Sequence, residues 1–329
     1  MFVSDNMEIS FYHPTNVIFF DDNYDFLNAI KLQYGEKYNL HICTNYHDVK
    51  SLLAKDSQRN LEINPPKYND NFLDARSCSD VGSIIDYLCN QGRFSCISVL
   101  VVDYEMPEIN GIKFCENIKG KNIFKILLTA EADKDTAIRS FNAGLIDKFI
   151  LKTSKNLHEE LENAINELME RYFLSHSYSN VQNQEKLFTH IPRSQRKLFE
   201  DALKYSNAVE YYKIDNSGSY LMLDSEGYPT WLVVKPIVEI DQQLELLDGY
   251  EGCENLVKAI LKKQKILFMP TECDYKLSIQ EWDKYLININ EINNTHYYAL
   301  FKGHFTEQIE WEKIESFGEY QSKKYLAYL

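Results

Sequence analysis

Short apolar runs alternate with helical stripes through the first half of the chain. Residues 17–20 form an apolar run that stops at Asp21-Asp22, and Phe26, Leu27, Ile30 and Tyr34 then recur at helical spacing. Residues 40–43 read as a second strand, and 98–102 as a third that runs into Asp103. Residues 125–128 make a fourth, followed by Thr129, and 149–151 a fifth, closed by Lys152. Ile112, Cys115 and Ile118 mark a short helix opened by Asn110-Gly111, and Ala137, Ile138 and Phe141 one that stops at Gly144. Leu157, Leu161, Ile165, Leu168 and Tyr172 carry the stripe into a last, longer helix. Strands of this length alternating with helices predict an α/β domain, a five-stranded parallel sheet with helices on both faces.

Two stretches break the rhythm. Residues 44–97 are far more than one crossover helix requires. Two helical patterns fit there, Val49, Leu52, Leu53 and Val81, Ile84, Ile85, Leu88, and either could be the crossover. Between them, at about 56–79, Pro65-Pro66 and many Asn and Asp suggest an inserted loop or small subelement. The second break is the polar segment 175–184, which reads as a linker. Beyond it the grammar changes. Residues 209–214, 220–223 and 230–234 read as strands separated by hairpin turn signals at 216–218 and 225–227. Leu256, Ile260 and Leu261 begin a helix that ends in Lys262-Lys263; 266–269 and 297–301 are further strands, and 310–326 has helical spacing. The expected organisation is an N-terminal extension (1–15), a doubly wound α/β domain (16–153), an extended helix and linker (154–183), and a smaller α+β domain (184–329).

Charge narrows the partners. The 329 residues hold 35 Lys and Arg against 49 Asp and Glu, for a net charge of -14. Such a chain is repelled by nucleic acid and anionic membrane unless its bases cluster. Acids outnumber bases after residue 180 as well, and the small patches at Arg193, Arg196, Lys197 and 258–265 form no stripe, so direct nucleic-acid binding is not indicated. The 7 cysteines make no CxxC pair, which suggests reduced thiols in a cytoplasmic protein. No apolar stretch is long enough for a membrane span, and the first residues lack signal-peptide grammar.

The chemistry gathers at strand ends. In a parallel sheet, ligands bind beyond the carboxyl ends of the strands. Asp21, Asp22, Asp103, Thr129 and Lys152 all fall there. Carboxylates converging on one sheet edge repel one another, and a hard divalent cation such as Mg²⁺ relieves this. With the metal in place a carboxylate can attack phosphorus, while a hydroxyl and an ammonium hold the remaining oxygens.

The segments VIFFDDN (17–23), VLVVDYEMPEINGIKFC (99–115), ILLTA (126–130) and DKFILK (147–152), in this order, resemble the receiver domain of bacterial two-component response regulators. The resemblance covers about 16–175 and implies a flavodoxin-like fold. It implies that Asp103 is phosphorylated by a histidine kinase or phosphotransfer protein. It also implies that Asp21, Asp22, Asp103 and the backbone carbonyl of Glu105 hold Mg²⁺, that Thr129 and Lys152 bind the phosphoryl group, and that Phe149 is the aromatic switch. Two departures stand out: Thr153 replaces the family's usual proline after the lysine, and the segment 144–152 is one residue longer than the family usually has. Lys148 therefore competes with Lys152, but it lies before the strand core, so Lys152 is preferred.

The second half offers no comparable signal. His304, Glu307 and Glu310 fit a solvated helix start better than a metal group, and Cys253 and Cys273 lack a neighbouring histidine. The segment 216–219 fits a turn, and Tyr211, Tyr212, Tyr220, Tyr297 and Tyr298 fit core and pair positions better than base-stacking platforms. Signatures of cyclic-dinucleotide enzymes are missing from the sequence, so the chain is not expected to be an enzyme. The whole resembles an atypical response regulator, similar to those of the α-hydroxyketone quorum-sensing type. Phosphorylation would control homodimerisation or protein interaction of a domain without a helix-turn-helix. The alternatives are a phosphorylation-regulated nucleic-acid binder or an unrecognised enzymatic output.

Overall fold

The computed structural model describes residues 9–60, 66, 81–90, 92–130, 134–179 and 193–326. They fall into two compact units, one drawn from Met1–Ile9, Pro14–Asn64 and Gly92–Ser179, the other from Ser10–His13, Pro65–Gln91 and Asn180–Leu329. The chain's first strand, β1 (Phe11–Tyr12), belongs to the second unit.

The first unit is a five-stranded parallel sheet. Its strands are β2 (Asn16–Phe20), β3 (Asn39–Cys43), β4 (Ile97–Asp103), β5 (Phe124–Thr129) and β6 (Lys148–Leu151), in the order β3-β2-β4-β5-β6. Every residue of β2 and β4 is buried, as expected for central strands covered on both faces. The helices are α1 (Tyr24–Tyr34), α2 (Tyr46–Asn60), α4 (Gly111–Asn117), α5 (Lys134–Asn142) and α6 (Leu157–Ser179). On one side of the sheet, Ile18, Leu100, Val102 and Leu127 meet Leu53, Phe114 and Cys115 in a continuous core. The path steps from β2 outward to β3 and then back across to β4. The strand order therefore reverses between β2 and β4, and the crevice for a ligand opens at their carboxyl ends.

The crossover left open by the sequence is α2, whose Val49 and Leu53 lie in that core. Helix α3 (Val81–Leu88) belongs to the second unit, where Tyr87 meets the rings of Phe11 at 5.7 Å and Tyr212 at 6.0 Å. Of the expected insert at 56–79, residues 56–60 end α2, and apart from Pro66 the rest lies outside the described residues. The expected linker at 175–184 differs too. Helix α6 continues to Ser179, and within it Ser175 and Ser177 turn their hydroxyls back to the carbonyls of Tyr172 (2.8 Å) and Phe173 (2.9 Å), which takes these polar groups up inside the helix.

The second unit is built on a six-stranded antiparallel sheet. Its order is β1-β7-β8-β9-β13-β12, with β7 (Glu210–Lys213), β8 (Tyr220–Leu223), β9 (Pro229–Pro236), β12 (Asn290–Asn293) and β13 (His296–Lys302). A separate pair joins β10 (Lys265–Leu267) to β11 (Leu286–Asn288). Helices α7 (Arg193–Ser206), α8 (Ile237–Leu247), α9 (Glu254–Leu261) and α10 (Phe317–Leu326) complete it. The two hairpin turns form as Asx turns. Asp215 accepts from the backbone of Ser217 and Ser219, and Asp224 from that of Glu226 and Tyr228. Residues 10–13, expected in a separate N-terminal extension, contribute a strand here: Phe11 and Tyr12 pair with Tyr212 and Tyr211. Of 310–326, only the last ten residues form an α-helix; Trp311–Lys313 is a 3-10 turn.

Candidate acidic site at the carboxyl ends of the strands

Each site residue is placed by the strand that precedes it. β2 ends at Phe20, so Asp21 and Asp22 sit just beyond the sheet edge, and β4 ends on Asp103 itself. Carboxylate oxygens of Asp21, Asp22 and Asp103 lie within 4.8 Å of one another. Asp21 and Asp103 are buried and Asp22 is exposed, so the group opens toward solvent on one side. Asp21 is held from two directions: one oxygen accepts from the Asn23 backbone at 2.9 Å, the other from Lys152 Nζ at 2.8 Å. Asn23 in turn caps α1, accepting from the Phe26 backbone.

Lys152 reaches the acids from the end of β6. Its Nζ also lies 2.8 Å from Asp103 Oδ1, so one ammonium bridges two carboxylates, and it sits 5.1 Å from the centre of the Phe26 ring. Burial pushes the Asp103 carboxyl above its ordinary value; the bond from Lys152 opposes this and the Asp21 charge adds to it. For Lys152, burial works against the charged form, but the two carboxylates outweigh it and the ammonium is held above its ordinary range. Among the described residues, three carboxylates thus share the one ammonium of Lys152, which leaves the site with excess negative charge.

The other candidates sit on β5, on β6 and in the loop after β4. Thr129, fully buried at the end of β5, donates its hydroxyl to the neighbouring Ala130 carbonyl at 3.2 Å, a long bond with little to lose on rotation. Phe149 is half-buried in β6 and packs against the core that holds Val102 and Leu127. The Glu105 residue lies in the exposed loop after β4, where the Tyr104 carbonyl accepts from Gly111. Lys148 points elsewhere, pairing with Glu167 of α6. The Lys152–Thr153 peptide is trans.

Comparison with known proteins agrees with this fold. The response regulator receiver domain family matches residues 52–166. Asp103, Thr129 and Lys152 fall inside that range, and Asp21 and Asp22 precede it. A 70-residue stretch is 36% identical to chemotaxis protein CheY1 of Helicobacter pylori, covering 20% of this chain and 56% of that protein. The structure of the Legionella pneumophila response regulator LqsR matches with a TM-score of 0.71 at 27% identity, covering 95% of each chain. The first unit is a CheY-like receiver domain.

Within this receiver domain, one functional position carries more than the sequence disclosed. Asn110-Gly111 was legible as a helix start, and Asn110 does cap α4 by accepting from the Ile112 backbone. Gly111, however, is required for a different reason. A Cβ there would lie 2.1 Å from the Asp103 carbonyl oxygen and 3.2 Å from Leu127. The glycine lets α4 come close under the end of β4 and so fixes where Asp103 points. In the second unit the weaker candidates resolve as structural. Tyr211, Tyr212, Tyr220 and Tyr297 are buried, and Cys253 points its thiol at the carbonyls of Leu247 and Tyr250. Among the described residues, Asp21, Asp22 and Asp103 form the one acidic group of metal-binding shape; His304, Glu307 and Glu310 do not.

Proposed function

We propose that the chain is a phosphorylation switch in which Asp103 accepts a phosphoryl group from a histidine kinase or phosphotransfer protein. The observation that carries this reading is the Lys152 ammonium, 2.8 Å from both Asp21 and Asp103, beside the third carboxylate of Asp22. The donor set suits a hard cation: three carboxylates with one shared counter-charge, and a Glu105 carbonyl that accepts no backbone N–H among the described residues. Asp21, Asp22, Asp103 and that carbonyl would hold Mg²⁺, which would supply charge neutralisation for the incoming phosphoryl oxygens. Asp103 forms a new O–P bond as the P–N bond to the donor imidazole breaks, and the electron pair returns to the imidazole nitrogen. Lys152 then keeps one hydrogen bond for a phosphoryl oxygen. Thr129 gives up its long bond to Ala130 and turns its hydroxyl to another oxygen. Phe149 follows by rotating further into the core, which changes the outer surface of β6 and α6.

In this reading the second unit is the output, controlled through homodimerisation or protein interaction, and nothing in it is assigned an enzymatic role. The likeness to LqsR over 95% of both chains supports a shared architecture of receiver and output. The experiment is to add Mg²⁺ and beryllofluoride, which mimics an aspartyl phosphate, and follow melting temperature and solution mass by light scattering. A raised melting temperature with a shift from monomer to dimer is expected. The same temperature shift in Asp103→Asn would overturn the assignment of Asp103. A mass unchanged by beryllofluoride that clearly binds would overturn dimerisation as the output.

A further inference from the structure

The second unit contains a buried carboxylate that the switch does not use. Asp274 is 0% exposed, and it accepts four hydrogen bonds. Thr271 donates its backbone N–H at 2.9 Å and its hydroxyl at 2.8 Å to one oxygen. Tyr285 donates its hydroxyl at 2.5 Å and Thr306 at 2.8 Å to the other. Burying a charge this deeply is costly unless every lone pair is met, and here it is met by residues from separate segments. Tyr285 ends the 3-10 helix Ile279–Tyr285, while Thr306 lies in the segment that leaves β13.

Those two segments are the walls of one cavity. It has a volume of about 300 Å³ and is lined by Lys284 and Tyr285 on one side and by Lys302, His304, Phe305 and Glu307 on the other. Asp274 ties the walls together directly behind the lining residues. A second fixation comes from Gly303, at φ +130°, a conformation that favours glycine. Its N–H donates to the Pro229 carbonyl at 2.9 Å and its carbonyl accepts from Trp231 Nε1 at 3.1 Å. The His304 ring lies flat on Trp311, with centroids 5.0 Å apart. Lys284 and Lys302 sit over the rings of Tyr285 and Tyr205 at 5.3 Å and 5.0 Å. Lys284, whose ammonium also lies 3.8 Å from Glu281, Lys302 and His304 are exposed basic residues that line one concavity in a chain of net charge -14.

We propose that this cavity binds a small phosphate-bearing molecule. Two ammonium groups and an imidazole provide the donors that non-bridging phosphate oxygens require. Phe305 and the Tyr285 ring offer an apolar wall for the rest of the ligand, and Glu307 can accept from a hydroxyl or amine on it. The volume stands at the lower end of the range for ligand pockets, so the molecule is small.

The test is calorimetric titration of the full chain with inorganic phosphate, in chelator and at low salt, so that no divalent cation can bring phosphate to the acidic site. One saturable binding event is expected. It should weaken tenfold or more in the double variant Lys284→Gln, Lys302→Gln, both at exposed positions, with an unchanged melting temperature, and stay unchanged in Asp103→Asn. No saturable binding, equal binding by the lysine variant, or loss of binding in Asp103→Asn would each overturn the proposal.

Discussion

Removing the charge of Asp103 should stabilise the protein. The Asp103 carboxylate is only 6% exposed and has the oxygens of Asp21 and Asp22 within 4.8 Å. At an effective dielectric of about 20, each such pair repels by about 3.5 kcal/mol, with exposed Asp22 screened well below that. Lys152 at 2.8 Å returns about 6 kcal/mol by the same arithmetic, but it is 29% exposed and shared with Asp21. The Coulomb contributions nearly cancel, and what remains is the desolvation of a buried carboxylate, worth several kcal/mol when complete. The upward shift of the Asp103 carboxyl has the same dominant cause. Asp103→Asn keeps the shape and removes the charge, so a gain of about 1–3 kcal/mol is expected at pH 7 in chelator. Read by thermal melting, this is about 2–4 °C for each kcal/mol. The sign with pH follows from linkage. Between the unfolded value and the raised folded value, the native carboxyl holds more proton than the unfolded one. Wild-type stability from this group therefore increases as pH falls through that window, and the advantage of the variant shrinks. Mg²⁺ should reverse the ranking by stabilising the wild type alone. If Asp103→Asn melts below wild type in chelator at pH 7, the attraction of Lys152 outweighs the burial and the site is not under electrostatic strain.

Other substitutions separate the parts. Gly111→Ala forces a Cβ to within 2.1 Å of the Asp103 carbonyl oxygen and should cost about 2–3 kcal/mol by denaturant titration, with loss of beryllofluoride binding. Lys152→Ala leaves two buried carboxylates without their shared cation; it should lower stability by about 1–2 kcal/mol in chelator, and Mg²⁺ should raise its melting temperature more than that of wild type. Lys148→Ala breaks only the pair with Glu167 and should leave phosphorylation kinetics unchanged. In the second unit, burial would raise the Asp215 carboxyl, but Lys235 at 2.8 Å and the backbone of Ser219 hold it below the ordinary value. That stability is fully present above about pH 4 and is lost as pH falls through the lower folded value, so Asp215→Asn should flatten the acid limb of the stability curve.

The receiver was legible because its chemistry lies where strands end, and strand ends are marked in sequence by the change from apolar to polar or charged residues. Asp21-Asp22, Asp103, Thr129 and Lys152 all show that change. What the sequence hid depends on contacts between distant segments. Strand β1 has two residues and no periodicity, and it exists because Tyr211 and Tyr212 offer an edge. Helix α7 has an apolar stripe at helical spacing, Leu198, Phe199, Ala202 and Leu203, but it is short and set among charged residues that drew the reading toward a basic patch. The bridging role of Asp274 needs Thr271, Tyr285 and Thr306 in one place, and no spacing announces that. The choice of α2 over α3 as crossover was open for the same reason: both stripes are apolar, and only the surface that each covers tells them apart.

The most direct measurement is to label the protein with acetyl phosphate and Mg²⁺, trap the acyl phosphate with borohydride and map the modified residue by peptide mass. One modification at Asp103, missing in Asp103→Asn and dependent on Mg²⁺, is the expected result. Modification at another residue, or equal labelling of wild type and Asp103→Asn, would contradict the assignment of Asp103 as acceptor.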